Sequence, residues 1–188
     1  MRLQPLSPEQ LTPAQKTLYD EISEEFEIIL KGVMPKQADG AFVGPFNPMV
    51  HFPEFGKVLW EYTKALSVNG TLPKIVREIA VLVAASRLRS RYEIYTHEKV
   101  GLKVGLSAAK IATIAAGERP SDLTDQEALA YDVAAVLTRG AQLPESLYQA
   151  ALAAFGEFGL AELIHSTGLY CLISILLNGY DIPVPERG

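Results

Sequence analysis

The stretch of sequence that decides the fold is EIAVLVAASRLRSRYEIYTH, residues 78–97. Its first half is apolar apart from Glu78 and belongs to a run of aliphatic and alanine residues, which predicts a buried helix over about residues 73–88. Its second half predicts another helix over about residues 91–104, ending at Gly105 because glycine commonly follows a helix C-terminus. The stretch therefore predicts two consecutive helices joined by a short turn.

Two titratable residues on the second of these helices could form a pair that transfers protons. Glu93 and His97 are four residues apart, so they lie on the same helix face. A carboxylate beside an imidazole favours the charged imidazolium and orients the ring, and such a pair can transfer protons near neutral pH. The same spacing fits a surface ion pair or a structural hydrogen bond between helices. Glu78 is either a pocket residue or a structural partner, because a buried carboxylate needs a compensating charge.

Helical signals continue through the rest of the chain. Capping boxes begin at Thr12 and Thr124. Further helices are predicted over about residues 13–31, 53–67, 107–116, 125–139, 144–155 and 160–178. Residues 32–51 are rich in proline and glycine and are predicted to be a long irregular segment, which is often functional. No run alternates as a strand would, so we expect an all-α single domain with an N-terminal helical extension.

Composition limits the class of protein. A chain of 188 residues fits one domain, and 48% hydrophobic with 21% charged residues is ordinary for a soluble globular protein. A net charge of -5 argues against nucleic acid as the main partner. The apolar run at residues 163–177 is too short and too polar to span a bilayer, and the N-terminus does not resemble a signal peptide. We therefore expect a soluble cytoplasmic protein with a small-molecule partner and no membrane.

Cysteine and histidine usage predicts no metal and no cofactor. The single cysteine, Cys171, excludes a disulfide, a Cys-x-x-Cys centre and a thiolate zinc site within one chain. The three histidines, His51, His97 and His165, are far apart and form no metal-binding motif. His165 lies among apolar residues and is expected to be a core histidine with a hydrogen-bond partner.

The 78–97 window resembles the carboxymuconolactone decarboxylase family, within the alkylhydroperoxidase D-like superfamily. In the redox members of that superfamily a glutamate is followed at fixed offsets by Cys-x-x-Cys and a histidine. Glu78 and His97 match the glutamate and the histidine, whereas Ser90 and Glu93 stand at the two cysteine positions. The chain is therefore similar to the non-redox branch, which lacks the Cys-x-x-Cys cysteines.

The resemblance extends along much of the chain. Gly44-Pro45-Phe46 with His51-Phe52-Pro53-Glu54, the segment GLKVGLS at residues 101–107, and residues 162–183 are all similar to the family pattern. The resemblance implies an alkylhydroperoxidase D-like helical bundle that forms trimers or hexamers, with a pocket near a subunit interface. It also suggests an N-terminal extension and loop at residues 1–50, a family-like domain at 51–180 and a tail at 181–188.

The catalytic candidates are His97, Glu93 and Glu78. The resemblance implies a cofactor-independent lyase or isomerase that acts by proton transfer on a small carboxylated substrate, such as a lactone or another compound of aromatic catabolism. His97, poised by Glu93, would be the general acid. The alternative is a non-catalytic oligomeric protein that binds small molecules. A thiol peroxidase is disfavoured because it needs two close cysteines.

Five further residues are candidates for substrate binding. Arg91 and Arg87 could capture a carboxylate, although cations near a helix C-terminus are also favoured by the helix dipole. Tyr92 and Tyr95 could present hydroxyl groups to a ligand, or they could be core aromatics with a polar tip. His51, at the end of the irregular segment, could line the pocket mouth or have a turn role.

Overall fold

The computed structural model of the protein describes residues 1–30 and 35–185. Within these residues the chain is helical without strands, and its one β-type pairing is an isolated bridge between Lys36 and Phe42. The all-α prediction is confirmed. The helices are α1 (Pro13–Ile29), α2 (Phe46–His51), α3 (Pro53–Asn69), α4 (Lys74–Arg87), α5 (Arg91–Lys103), α6 (Ala108–Ala115), α7 (Asp125–Leu137) and α8 (Glu145–Gly179).

Packing divides the chain into two units, of which the first comprises residues 1–69 and 176–183. Its core is aromatic. Phe46 meets Phe26 edge-on with ring centroids 5.4 Å apart and meets Trp60 at 6.1 Å. Trp60 is fully buried, and its indole N–H donates to Glu25 at 2.7 Å. The first unit therefore includes α3 and continues to residue 69. The domain boundary predicted at residue 50 was placed by sequence motifs and lies before α3.

The predicted irregular segment contains the short helix α2. Its Pro48 is the third residue of the helix, where the backbone N–H has no intrahelical partner to lose, so proline is tolerated there. A Cβ at Gly56 of α3 would lie 2.0 Å from the carbonyl oxygen of Met49, so only glycine permits this close approach of α2 and α3. The predicted end of the first helix, at residue 31, lies outside the described residues.

Residues 2–4 form a segment that we call the N-terminal strap. The backbone N–H of Arg2 donates to the carbonyl of Tyr180 at 2.9 Å, and the carbonyl of Leu3 accepts a hydrogen bond from the Asn47 side chain at 2.9 Å. The strap therefore ties α2 to the end of α8 within the first unit.

The second unit comprises residues 70–175 and 184–188, of which those up to 185 are described. Its central helix is α4, which packs against α5, α6 and α7. A helix that is apolar on all sides is buried on all sides. This holds for α4, whose buried residues include Val76, Glu78, Ile79, Ala80, Val81, Leu82, Val83, Ala84 and Ala85. The apolar window that decides the fold is thus the core of this unit.

The start of α4 is capped from a distant part of the chain. Pro73 stands at the N-cap and supplies no side-chain cap. The buried carboxylate of Glu162, on α8, accepts hydrogen bonds from the backbone N–H groups of Thr71 at 2.6 Å and Leu72 at 2.9 Å. This carboxylate therefore anchors the segment that leads into α4.

A single residue breaks α8. Gly156 has φ 69° and ψ 176°, which is not helical geometry and is a conformation open essentially to glycine alone. The two predicted helices, 144–155 and 160–178, correspond to the segments on either side of this break. His165 is exposed, so its predicted core position is wrong. It lies on the outward side of the helix, while Leu163 on the other side is fully buried.

Beside His165, α8 exposes large apolar side chains. Ile164, Leu172 and Ile175 are 37%, 45% and 56% exposed, and we call these three residues the α8 apolar face. By length and composition α8 is the one helix among the described residues that could cross a membrane, but half of its most apolar window is buried inside the protein. The core helix of a soluble domain has the same properties, and the rest of the fold is that of a soluble helical domain.

Candidate active site

The candidate site is built on the hairpin of α4 and α5. The turn between them is short, and the two helices pack against each other. Because residues 79–85 of α4 are apolar and buried on all sides, their burial carries the adjoining Glu78 into the interior. Glu93 and His97 lie on the buried face of α5, as their spacing predicts.

The three side chains contact one another. His97 Nδ1 lies 2.7 Å from Glu78 Oε2, and His97 Nε2 lies 3.3 Å from Glu93 Oε2. The residues are only 5% (Glu78), 3% (Glu93) and 8% (His97) exposed. Both ring nitrogens thus have a carboxylate partner, and we call this arrangement the Glu–His–Glu triad.

The two carboxylates keep the imidazole charged. Burial alone lowers the pKa of His97, but the negative charges and hydrogen bonds of Glu78 and Glu93 outweigh it and raise the pKa to about 10. At neutral pH His97 is therefore an imidazolium whose two N–H groups donate to the two carboxylates. The triad holds a proton at each ring nitrogen in a site largely closed to water.

Tyr170 completes the surroundings of the ring, and the sequence did not single it out. Its ring meets His97 edge-on, with centroids 4.8 Å apart and planes at 87°. Burial, followed by the charges of Glu78 and Glu93, raises the pKa of the Tyr170 hydroxyl, which stays protonated. The one feature of the sequence that could have indicated Tyr170 is a tyrosine inside an apolar helix, because a buried Tyr hydroxyl usually has a hydrogen-bond partner.

Ser90 also acquires a possible role from the structure. It occupies the first cysteine position of the redox pattern and is fully buried at the N-cap of α5. Its Oγ does not cap the helix and has no hydrogen-bond partner among the described residues. A buried hydroxyl without a partner costs about 1–3 kcal/mol, so Ser90 is a candidate contact for a bound substrate.

The predicted substrate-binding residues of α5 differ in environment. Arg91 is exposed and is the first residue of the helix, so a C-terminal helix dipole does not explain it. Tyr92 is buried, and burial, reinforced by Glu93, raises the pKa of its hydroxyl. Tyr95 is partly buried, and its hydroxyl oxygen accepts a hydrogen bond from Lys99 Nζ at 2.6 Å.

The other two predicted substrate-binding residues do not contact the triad. Arg87, the last residue of α4, is exposed and lines a cavity whose lining contains no triad residue. His51 belongs to the first unit, where its Nε2 lies 2.7 Å from the carbonyl oxygen of Gln4 in the N-terminal strap. Its backbone carbonyl accepts a hydrogen bond from Gln15. These contacts give His51 the alternative, turn-stabilising role.

The side chains of the triad are groups that can exchange protons. Within residues 1–30 and 35–185, no group of three or more His, Cys, Asp or Glu residues is arranged to hold a metal ion. Burial raises the pKa of Cys171, the single cysteine, which keeps it a neutral thiol. The titratable groups in contact at this site are the two carboxylates and the imidazolium of the triad.

Solved structures with similar folds are alkylhydroperoxidase D-like. The alkylhydroperoxidase AhpD core of an uncharacterized peroxidase-related protein from Ralstonia eutropha JMP134 matches with TM-score 0.75 and 15% identity, covering 98% of this chain and 92% of that chain. An uncharacterized peroxidase-related protein from Silicibacter sp. TM1040 matches with TM-score 0.69 and 16% identity, over 87% and 84% of the two chains.

A third similar structure is the debrominase Bmp8, a variant in complex with 2,3,4-tribromopyrrole. It matches with TM-score 0.71 and 10% identity, over 98% of this chain and 92% of that chain. At such identities the likeness shows the fold. No curated protein matches the chain by sequence.

The family follows from a separate comparison. The model of the Carboxymuconolactone decarboxylase family matches residues 53–136, a range that contains the whole Glu–His–Glu triad. The resemblance to this family that Glu78, Glu93 and His97 predict is thereby confirmed.

Proposed function

We propose that the protein is a cofactor-independent lyase or isomerase that transfers a proton at the Glu–His–Glu triad to a small carboxylated substrate. The observation that carries this proposal is the buried His97, held as an imidazolium between Glu78 and Glu93. Glu93 stands at a position where redox members of the superfamily carry a cysteine. The reactive thiols of those members are thus replaced by a proton-transfer group.

The two hydrogen bonds of His97 suggest different tasks. The shorter one, 2.7 Å from Nδ1 to Glu78, orients the ring. The longer one, 3.3 Å from Nε2 to Glu93, leaves that proton easier to transfer. In a decarboxylation the bond to the carboxyl carbon breaks and its electron pair moves into a conjugated carbonyl. The Nε2 proton then passes to the substrate carbon, and neutral His97 regains a proton from solvent.

The substrate class is supported by charge and by the family. Arg91 is exposed at the start of α5 and can meet a substrate carboxylate with a planar guanidinium. Ser90 offers a buried hydroxyl without a partner. The debrominase of similar fold is in complex with a small brominated pyrrole, which supports a ring-sized ligand. We therefore favour a carboxylated lactone or a related compound of aromatic catabolism.

A non-catalytic small-molecule-binding protein is the second candidate. The specific observation in its favour is that both nitrogens of His97 already have carboxylate partners. In that case the triad would be an ion-pair clamp between α4 and α5. A dithiol peroxidase has no support, because the chain has one cysteine.

We propose further that the protein is a cytoplasmic homo-oligomer, most simply a trimer or hexamer. The α8 apolar face exposes three large aliphatic side chains along one helix, and burying them against another copy would remove them from water.

The test is proton exchange at carbon. A panel of carboxylated lactones and related acids is incubated with the protein in D2O, and deuterium incorporation and product formation are followed by NMR. For a substrate that turns over, His97→Gln should lose about 10²–10⁴-fold in rate, as expected when a general acid is removed. Glu93→Gln should lose less, because its amide can still orient the ring but cannot stabilise its charge.

Glu98→Gln is the matched control, since it removes a carboxylate from the same helix next to His97. Its turnover should equal that of the unaltered protein. If His97→Gln and Glu93→Gln keep full turnover and only melt earlier, the triad is the structural clamp and the catalytic proposal is wrong.

A further inference from the structure

A cavity lies in the second unit, apart from the triad residues. It has a volume of about 400 Å³ and is lined by the ends of α4, α6 and α7. Three arginines line it, namely Arg87, Arg89 and Arg139, and all three are exposed to solvent. The ring of Tyr131 contributes an aromatic surface. The volume falls in the usual range for small-molecule sites.

The three guanidinium groups have no carboxylate partner among the described residues. Arg119, in the same unit, is by contrast paired and makes two bonds to Asp132, at 2.8 and 3.0 Å. One unpaired acid, Glu118, acts electrostatically on Tyr131. The three unpaired guanidinium groups carry more positive charge than this one carboxylate can neutralise. Like charges gathered around one cavity repel one another, and a bound anion would relieve that repulsion.

The backbone of Arg89 is an independent observation. Arg89 has φ 53°, and the N–H of the next residue bonds back to Ala85, which is the usual glycine-terminated end of a helix. At the corresponding ends of α5, α6 and α7 the protein uses glycine, with φ 99°, 88° and 76° at Gly105, Gly117 and Gly140. A non-glycine residue in this region is strained, and such strain is concentrated at functional sites.

Helix dipoles do not account for this arrangement. A helix C-terminus favours a cation in its last turn, which suffices for Arg87. The helix dipole does not explain why an arginine, and not glycine, occupies the left-handed position of residue 89. A ligand that binds the guanidinium at the rim of the cavity would explain it.

We infer that this cavity binds a small organic anion, with its phosphate or carboxylate group on Arg87, Arg89 and Arg139 and its apolar part against Tyr131. Planar guanidinium groups bind both kinds of oxyanion in bidentate fashion. The inference is independent of the proposed reaction, because no triad residue lines the cavity.

The test is a titration of the ¹⁵N-labelled protein, followed by NMR, with phenyl phosphate and separately with benzoate, at matched ionic strength. We expect saturable shifts confined to residues 83–89, 114–117 and 131–139. Arg89→Gly and Arg139→Gln should each raise the Kd about tenfold or more, as expected on loss of a charge-assisted contact. Lys74→Gln, the loss of an exposed cation at the opposite end of α4 and outside the cavity, is the matched control and should leave the Kd unchanged.

Arg89→Gly has a second readout that separates lost binding from lost structure. Glycine relieves the left-handed strain, so the Tm should rise by about 2–4 °C while binding is lost. Binding of phenyl phosphate alone assigns a phosphate ligand, and binding of benzoate alone assigns a carboxylate. Absence of saturable binding by both probes, an unchanged Kd in both cavity variants, or an equal loss in Lys74→Gln would each overturn the inference.

Discussion

His97 differs from an ordinary histidine in that its neighbours keep it charged at neutral pH, because they raise its pKa to about 10. The sequence offsets of Glu78 and Glu93 from His97 predict their proximity, and the contacts show how the fold produces it. A step of four residues along α5 brings Glu93 to the ring, and the packing of α4 on α5 brings Glu78 to the other nitrogen. A substitution at any one of the three leaves the others as buried charges with poorer compensation.

The charge of His97 predicts a pH dependence of stability. Its folded-state pKa of about 10 lies above the ordinary value of 6.5, so its contribution is complete below about pH 6.5 and is lost as the pH rises towards 10. The free energy of unfolding should therefore fall across this window, by at most about 1.4 kcal/mol per pH unit from this group. Urea unfolding of the unaltered protein and of His97→Gln at pH 6, 7, 8 and 9 measures it.

The His97→Gln variant separates the contribution of His97 to the pH dependence from those of all other titratable groups. Its free energy of unfolding should be lower at pH 6 and should depend much less on pH, because the titrating imidazole is gone. Parallel curves for the two proteins would show that folding does not raise the pKa of His97.

Site residues could be predicted from the sequence where their spacing along the chain determines which side chains meet. The offsets among Glu78, Glu93 and His97 predict their proximity, and the structure brings them together. Tyr170 lies far along the chain in an apolar run, so no local period connects it to His97. The sequence shows that Ser90 stands where redox members carry a cysteine. Its lack of a hydrogen-bond partner could not be predicted, because it depends on how the helices pack.

At the scale of elements, α4 depends on Glu162 for its entry. Glu162→Ala should lower the free energy of unfolding by about 2–3 kcal/mol, because it leaves the buried N–H of Leu72 without an acceptor and removes packed atoms. Glu162→Gln keeps an acceptor oxygen and should lose less. Glu157→Ala, at an exposed position of the same helix, should change stability by no more than about 0.5 kcal/mol. Urea unfolding monitored by circular dichroism measures all three, and equal losses in the two alanine variants would contradict the capping role.

The elements themselves were predictable to the extent that their signals are local. Capping boxes at Thr12 and Thr124 mark the starts of α1 and α7, as the structure confirms. The short helix α2 was missed because its prolines read as loop signals, although a proline in the first turn is compatible with a helix. The support of Glu162 for α4 was also beyond prediction, since it joins residues about ninety positions apart.

At the scale of the molecule, the α8 apolar face predicts the assembly. Leu172→Glu places a charge in the middle of this face, so it should shift the proposed oligomer towards the 20.5 kDa chain in light scattering at micromolar concentration. Leu102→Glu, at a leucine of α5 that is 54% exposed, makes the same chemical change elsewhere and should leave the oligomer intact. A monomeric unaltered protein, or an oligomer that tolerates Leu172→Glu, would show that this face is not the interface.

The first unit is discontinuous in the chain, and this bears on how the protein is made. Its last piece, residues 176–183, follows the whole stretch from 70 to 175. A ribosome adds about 5–20 residues per second, so helices α1 to α3 wait about 5–20 s before Tyr180 emerges to receive Arg2. During that interval the first unit lacks the contacts at the C-terminal end of α8, among them the hydrogen bond between Arg2 and Tyr180. Newly made chains are thus most exposed to chaperones and proteases through their N-terminal helices.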